Sequence, residues 1–317
     1  MYLGIEIGGT KLQLGCGDGQ SGVLKALVRR DIDRTKGARG ILDQIAEAAR
    51  PLIAELQPTQ IGYGFGGPVD STSGRVRISH QVDGWENFPL VQWTREQFDL
   101  PAKLGNDCDV AALAEFRYGA GRGAKTIFYV TVGTGVGGGC VVEGKLLGEG
   151  RPAIAEIGHL RPGLDCDDPH QTVESIAAGP GIAAYARAKL QSDNEAASGV
   201  SAESIRELKS RLGDDISAAT LGKAAREGNE YAKQLLNRPV QTLGWAISQV
   251  VTLIAPEIVV VGGGVSLLGE ELFFAPLRKY AAKYGFPPLA GSYQIVPAAL
   301  GEEAVVHGAV ALAASDS

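Results

Sequence analysis

The sequence has few cysteines and no long basic run, and each absence excludes a class of protein. Its four cysteines are scattered along 317 residues and form no Cys-x-x-Cys pair. This pattern is typical of reduced thiols in a cytoplasmic protein, not of a disulfide framework. No run of Lys or Arg exceeds two residues and the net charge is -6. We therefore expect no nucleic-acid partner.

A membrane segment is also absent from the sequence pattern. Met1 leads directly into a strand pattern, without the charged and then apolar stretch of a secretory signal. The longest apolar helical stretch, around residues 240–254, is interrupted by Gln, Thr and Ser and is too short to span a bilayer. We expect a cytoplasmic protein with no membrane partner.

Two common nucleotide-binding motifs are missing or lack their required context. No Gly-x-x-x-x-Gly-Lys-Ser/Thr run occurs, which argues against a P-loop enzyme. Gly133, Gly135 and Gly138 match Gly-x-Gly-x-x-Gly, but a dinucleotide site needs a helix to begin there. The residues that follow predict a strand and a turn, so we reject a dehydrogenase.

Glycine, in contrast, is abundant and clusters beside apolar β-branched runs. The alternation of residues 2–15 around Gly8-Gly9 predicts a β-hairpin whose tight turn favours positive φ. Thr126–Val132 predicts a second strand that meets Gly133-Thr134-Gly135 and then another strand. We interpret this echo as a weak internal duplication with one phosphate-sized turn in each half.

Between and after these hairpins, helical spacing alternates with short buried strands. This alternation and the chain length favour an α/β protein with mixed sheets and two domains. Helices are predicted at 40–56, at 109–117 with Asn106 or Asp107 near the start, at 172–188, at 217–254 with caps Ser217 and Asn229, and at 301–314; a buried strand is predicted at 257–261.

The residues of the two glycine turns are of types that bind an anion. Glycines expose consecutive backbone N–H groups, Thr10 and Thr134 add hydroxyl donors, and Lys11 adds a point charge. Taken alone, Lys11 is as well explained by a solvated strand position, and Asp107 by a helix cap. The local pattern by itself therefore leaves both roles open.

Seven short segments are spread in order over nearly the whole chain. They are Glu6-Ile-Gly-Gly-Thr-Lys11, Gly66-Gly-Pro-Val-Asp70, Gly105-Asn-Asp107 with Ala111-Ala-Leu-Ala-Glu115, Thr131-Val-Gly-Thr-Gly-Val-Gly-Gly-Gly139, Glu156-Ile-Gly-His159, Glu174 before Ala178-Gly-Pro180, and the run from Pro256 to Ser266. Each segment is ordinary by itself, but the ordered set is specific. It resembles the ROK family of sugar kinases and regulators, in the order usual there.

The resemblance implies a two-domain, actin-like or hexokinase-like ATPase fold with sugar and ATP in a cleft between the domains. A small α/β domain would span residues 1–118, a large one 119–300, and a helix at 301–317 would pack back on the first. Dimers are common in the family, so we also expect a homodimer.

The resemblance also implies roles for particular residues. Asp107 would be the base that activates a sugar hydroxyl, which is a poor nucleophile until its proton is taken. The sugar ligands would be Gly67, Asn106, Asp107, Glu156, His159 and Glu174; the ATP phosphates would face Glu6, Gly8, Gly9, Thr10, Lys11, Thr131, Gly133, Thr134 and Gly135; the nucleoside would lie by Gly262, Gly263 and Gly264.

The chain departs from the family pattern at two places that concern metals. Glu6 stands where the family usually has Asp, although its carboxylate still suits Mg²⁺ bound with ATP. In the segment Leu164–His170 only Cys166 remains of a Cys-rich zinc motif, and a structural zinc site normally has four ligands. We expect no zinc there, which leaves His159 to serve the sugar.

A second class of function stays open beside the kinase. A catalytically weak sugar-binding or regulatory ROK protein would share the same motifs, and Glu6 leaves a weakly active kinase open. The family's regulators carry a DNA-binding segment before the first phosphate motif, where this chain has only a few residues, so we expect no DNA binding. Glucose, mannose, fructose and N-acetylhexosamines remain alternative sugars.

Overall fold

The computed structural model describes residues 1–79, 81–148, 153–163, 167–192 and 199–315. The strands are β1 (Tyr2–Ile7), β2 (Lys11–Gly17), β3 (Leu24–Asp31), β4 (Gln60–Phe65), β5 (Val69–Asp70), β6 (Arg75–Val76), β7 (Ala102–Asn106), β8 (Thr126–Val132), β9 (Val136–Val142), β10 (Lys145–Leu146), β11 (Ile258–Gly262) and β12 (Gln294–Pro297). The α-helices are α1 (Gly37–Leu56), α2 (Leu90–Phe98), α3 (Asp107–Arg117), α4 (Val173–Ala177), α5 (Gly179–Ser192), α6 (Ala202–Leu212), α7 (Ala218–Arg226), α8 (Glu230–Ile254), α9 (Ala275–Tyr284) and α10 (Ala304–Ala313).

Two five-stranded sheets have the same pattern of strand order. The first sheet has the order β3-β2-β1-β4-β7, and the second has the order β10-β9-β8-β11-β12. In the first, β1 and β2 are antiparallel and β4 and β7 run parallel to β1 and β4, respectively. In the second, β10 pairs antiparallel with β9, and β12 runs parallel to β11. The similarity between the two hairpins thus extends to the order of the strands in the two sheets.

The contacts divide the chain into two compact units. The first unit comprises Met1–Tyr129, Gly138–Ala155 and Ala298–Ser317, and the second comprises Val130–Gly137 and Glu156–Pro297. The boundaries expected from the sequence, 1–118 and 119–300, stay a prediction.

Helix α10 packs closely on the first sheet because glycines let backbones approach. A Cβ on Gly62 of β4 would lie 1.9 Å from the Ala309 carbonyl oxygen, and one on Gly308 would lie 1.8 Å from that of Val110. No larger residue fits at either position without a shift of the backbone. These contacts bury the C-terminal helix in the core of the first unit.

One predicted helix is divided in the structure. The helix expected at 172–188 breaks at Ala178, whose ψ of 157° is extended, so α4 and α5 are separate. The predicted caps are confirmed: Asn106, Ser217 and Asn229 each accept a hydrogen bond from a backbone N–H in the first turn of the following helix. Among the residues that the structure describes, no helix is both long and apolar enough to cross a membrane.

Candidate active site

The first glycine turn joins β1 to β2. The Gly8 N–H donates to the Lys11 carbonyl oxygen at 2.9 Å, which closes the turn over Gly9 and Thr10. The predicted positive φ is wrong, because neither glycine has a left-handed backbone. A Cβ on Gly9 would lie 1.4 Å from Oε1 at the end of the exposed Gln81 side chain, which would have to move to admit a larger residue. Arg34 also donates from Nε to the Gly9 carbonyl at 2.6 Å.

Glu6, on the strand before this turn, carries a buried carboxylate. The residue is 8% exposed, Gln13 donates from Nε2 to its Oε2 at 2.6 Å, and Lys11 Nζ lies 3.7 Å from its Oε1. Burial raises the pKa of Glu6, the neighbouring Lys11 and Gln13 lower it, and the nearby charge of Asp107 raises it. A second positive charge near Glu6 would therefore favour its ionised form.

Asn106 and Asp107 lie where β7 passes into α3. Asn106 is the N-cap: its side-chain oxygen accepts from the Cys108 N–H at 2.8 Å, and its Nδ2 donates to the Gly67 carbonyl at 3.0 Å. Asp107 Oδ1 accepts from the same Cys108 N–H at 2.8 Å. Its Oδ2 is directed towards the end of β4, since a Cβ on Gly66 would lie 3.4 Å from it. Capping is thus served by Asn106, and Asp107 approaches the end of β4.

The second glycine turn joins β8 to β9, and a carboxylate contacts it. Glu174 Oε2 accepts from the Val136 N–H at 2.8 Å, and a Cβ on Gly135 would lie 2.6 Å from that oxygen. The Gly179 N–H, at the start of α5, donates to the Gly133 carbonyl at 2.8 Å. Gly179-Pro180 interrupts a continuous helix at this point, and the break places the Gly179 N–H against the glycine turn.

Glu156 and His159 flank a 3₁₀ turn near the same strand. A Cβ on Gly158 would lie 2.0 Å from the Val136 carbonyl, so only glycine lets this turn approach β9. Although Glu156 is an exposed residue overall, partial desolvation of its carboxyl raises its pKa. His159 lowers that pKa and the Glu174 charge raises it, so the three side chains lie close enough to interact.

The glycines after β11 differ from one another. Gly263 has a φ of 88°, and a Cβ on it would lie 2.5 Å from the Val132 carbonyl oxygen at the end of β8. Gly264 is exposed, and a Cβ on it would meet no atom within 4 Å. Gly263 is therefore required by the fold, whereas Gly264 faces open space.

The structure thus assembles the predicted residues into two sets, one in each unit. No group of three metal-ligating side chains occurs among the residues that the structure describes, and Cys166 lies outside them. The set in the first unit is Glu6, Gly8, Gly9, Thr10, Lys11, Gly67, Asn106 and Asp107; the set in the second is Thr131, Gly133, Thr134, Gly135, Glu156, His159, Glu174, Gly262, Gly263 and Gly264.

Sequence reasoning assigned no role to two buried polar residues of the first unit, although one of them, Glu115, ends an ordered segment. Gln13 donates to Glu6, and the fully buried Glu115 accepts from the N–H groups of Ala299 and Leu300 at 3.2 and 2.9 Å. Both are 0% exposed. Gln13 occupies a strand position where the sequence carries no motif, so only the paired strand reveals its contact. The partners of Glu115 are more than 180 residues away in the chain.

Comparison with known proteins identifies the family. The chain is 31% identical to a glucokinase of Thermotoga maritima, covering 98% of this chain and 96% of the relative. It is 30% identical to an N-acetylmannosamine kinase of Escherichia coli, covering 98% and 97%. The structure of a ROK family glucokinase from Streptomyces griseus, in complex with glucose and AMPPNP, superimposes with a TM-score of 0.77, at 29% identity and with 98% of each chain covered.

The match to this ROK family glucokinase structure confirms the predicted fold class, an α/β protein with the two-domain, actin-like fold. The model of the family described as "ROK family" matches residues 2–316. The chain belongs to the ROK family.

Proposed function

We propose that this protein is a sugar kinase that transfers the terminal phosphoryl group of ATP to a hydroxyl of a hexose. Membership of the ROK family and the glucokinase relatives support the reaction class. The observation that carries the proposal is the arrangement in the first unit, where Asp107 approaches the end of β4 and interacts with Glu6 beside a glycine turn.

In this proposal Asp107 is the general base. Its carboxylate takes the proton of the sugar hydroxyl while that oxygen forms a bond to the γ-phosphorus of ATP. The bond from that phosphorus to the bridging oxygen breaks, and ADP leaves with the electron pair. A base placed within hydrogen-bond reach typically contributes about 10²–10⁴ in rate.

The carboxylate of Glu6 would hold Mg²⁺ together with ATP. Two observations support Glu6 as a ligand of Mg²⁺. Burial raises the pKa of its carboxyl, and an added cation would lower that pKa again. Mg²⁺ also prefers carboxylate oxygen atoms as ligands. The metal supplies neutralisation of phosphate charge when it is bound. Lys11 and the N–H groups of the two glycine turns would orient the phosphates of ATP.

The sugar would be held by groups that donate to and accept from neighbouring hydroxyls. Gly262 to Gly264 would lie by the nucleoside of ATP. Domains of residues 1–118 and 119–300 and a homodimer also belong to the proposal. The proposed sugar ligands are Gly67, Asn106, Asp107, Glu156, His159 and Glu174.

The test is ADP release from ATP and Mg²⁺ across a panel of hexoses and N-acetylhexosamines. The expected result is turnover with at least one sugar, and loss of nearly all of it in Asp107→Ala. No turnover with any sugar in the wild type would contradict the kinase. Sugar binding by calorimetry without ADP formation would instead support the second candidate, a weak sugar binder.

A further inference from the structure

Gln13 is a fully buried polar side chain in the middle of the first sheet. It lies on β2, directly opposite Glu6 of β1 and Arg29 of β3 in the strand register. It is 0% exposed. A buried amide is costly unless its donors and acceptor are all paired, so its partners indicate what it does.

Both polar atoms of the Gln13 amide have hydrogen-bond partners. Nε2 donates to Glu6 Oε2 at 2.6 Å and to the Glu302 carbonyl at 2.9 Å. Oε1 accepts from Arg29 Nε at 2.9 Å. Turning the amide over would place its oxygen against the Glu6 carboxylate and its NH₂ against the Arg29 guanidinium. Arg29 and the Glu302 carbonyl therefore fix the direction in which Gln13 donates.

This arrangement distinguishes the two oxygens of Glu6. Oε2 is held by Gln13, while Oε1 lies towards Lys11, at 3.7 Å from Nζ. Lys11 also donates to the Glu302 carbonyl at 3.3 Å, so both neighbours of Glu6 share that acceptor. The carboxylate is thus held in one orientation with Oε1 directed to the glycine turn.

We propose that Gln13 is a positioning residue that orients the Glu6 carboxylate towards the Mg²⁺–ATP complex, so that Glu6 and Gln13 act as a pair. The inference rests on the proposed kinase function. A glutamate side chain has several rotatable bonds, and a fixed hydrogen-bond donor limits the directions that its carboxylate can take. Precise placement of a charged group depends on supporting hydrogen bonds of this kind.

The alternative is that Gln13 only satisfies a buried carboxylate and stabilises the fold. That role predicts a loss of stability without any change that depends on Mg²⁺. The positioning role predicts a specific loss in the use of Mg²⁺ and nucleotide, with sugar affinity retained. The two roles therefore separate in the Mg²⁺ dependence.

The experiment compares Gln13→Leu with the wild type and with Gln92→Leu, a control on the exposed face of α2. Two quantities are measured: the Mg²⁺ concentration at half-maximal rate, and the calorimetric affinity for AMPPNP with Mg²⁺. We expect Gln13→Leu to raise the first about tenfold and to weaken the second similarly, the loss of one charge-assisted hydrogen bond. Gln92→Leu should change neither.

A second pair of variants covers the case in which Gln13→Leu does not fold. Gln13→Glu keeps the size of the side chain but replaces the donor to Glu6 by an oxygen, and it should weaken Mg²⁺-dependent AMPPNP binding at least as much. In a Glu6→Asp background, where the shorter carboxylate no longer reaches the amide, Gln13→Leu should add less than about a twofold change.

Three results would distinguish a failure of the Gln13 inference from a failure of the proposed kinase function. Unchanged Mg²⁺ dependence and AMPPNP affinity in both Gln13 variants would overturn the inference, even if stability fell. Equal effects of Gln13→Leu in the wild-type and Glu6→Asp backgrounds would also overturn it, because the residues would not act as a pair. No kinase activity in the wild type would contradict the proposed function, and calorimetry with AMPPNP would still decide the role of Gln13.

Discussion

The two units bury different kinds of polar side chain. Every buried carboxyl or imidazole side chain among those that the structure describes belongs to the first unit, namely Glu6, Glu115 and His307. The buried polar residues of the second unit that the structure describes are the neutral Asn229, Ser248 and Ser266. The carboxylates of the second unit, Glu156 and Glu174, are more exposed.

This difference shows which unit holds ionisable side chains in fixed positions. A buried charge must be paired and hydrogen-bonded to be tolerated, so its position is defined by the fold. Glu6 and Asp107, the groups proposed for metal and proton transfer, lie in the unit that provides such pairing. The carboxylates proposed to bind the sugar in the second unit are more open to solvent.

The largest expected effect tests the loss of a buried hydrogen-bond acceptor. Glu115 accepts from the N–H groups of Ala120, Ala299 and Leu300, at 2.8, 3.2 and 2.9 Å. Glu115→Ala removes all three bonds, and we expect the free energy of unfolding to fall by about 3 kcal/mol or more in urea titrations. Asn229→Ala, which removes a neutral buried cap in the second unit, should cost about 1 kcal/mol. Equal losses would remove the contrast between the units.

The next effect concerns the backbone of the second unit. Gly263→Ala introduces a side chain at positive φ against the Val132 carbonyl, and we expect a loss of about 2 kcal/mol in the same titrations. Gly264→Ala is the matched control, because a Cβ there meets no atom within 4 Å. A similar loss at both positions would show that the contact with β8 is not the cause.

A smaller effect is expected at Glu174, in the second unit. Glu174→Gln keeps an oxygen that can accept from the Val136 N–H but loses the charge for sugar hydroxyls. We expect the sugar KM to rise about tenfold and kcat to change less, as measured by initial rates. Glu203→Gln, at the exposed start of α6, is the control. A fall in kcat alone would assign Glu174 to the chemical step.

The smallest effect is a pH dependence that belongs to the first unit. Burial lowers the pKa of His307 from 6.5, although Glu303 and Glu115 raise it. The unfolded chain therefore binds the proton more readily, and stability falls as pH falls from 6.5 through the folded pKa, by at most about 1.4 kcal/mol per pH unit. Thermal unfolding of His307→Gln between pH 7 and 5 should be flatter than that of the wild type.

Local patterns were enough to predict much of the fold. The strand Thr126–Val132 and the caps Asn106, Ser217 and Asn229 are as predicted, because alternation and capping are properties of a few neighbouring residues. Most of the candidate site residues came from the ordered motifs, whereas residue patterns alone left Asp107 open between a cap and a base.

The rest depends on contacts that no local pattern encodes. Gly179-Pro180 marks the break after Ala178 locally, but the partner of the Gly179 N–H, the Gly133 carbonyl more than forty residues away, is not encoded there. The space beside Gly9 is occupied by the end of the Gln81 side chain, a neighbour that the hairpin pattern does not predict. The contacts of Gln13 are likewise not encoded locally, because Glu6 and Arg29 become its neighbours only once β1, β2 and β3 are paired.

The central claim is that Asp107 takes the proton of the sugar hydroxyl. Its most direct test is single-turnover phosphoryl transfer in Asp107→Asn, with sugar affinity measured by calorimetry on the same protein. The asparagine oxygen can still accept from the Cys108 N–H, so the start of α3 should be preserved. We predict transfer about 10²–10⁴-fold slower with sugar affinity retained. Transfer within about tenfold of the wild type, with sugar still bound, would contradict a base at this position.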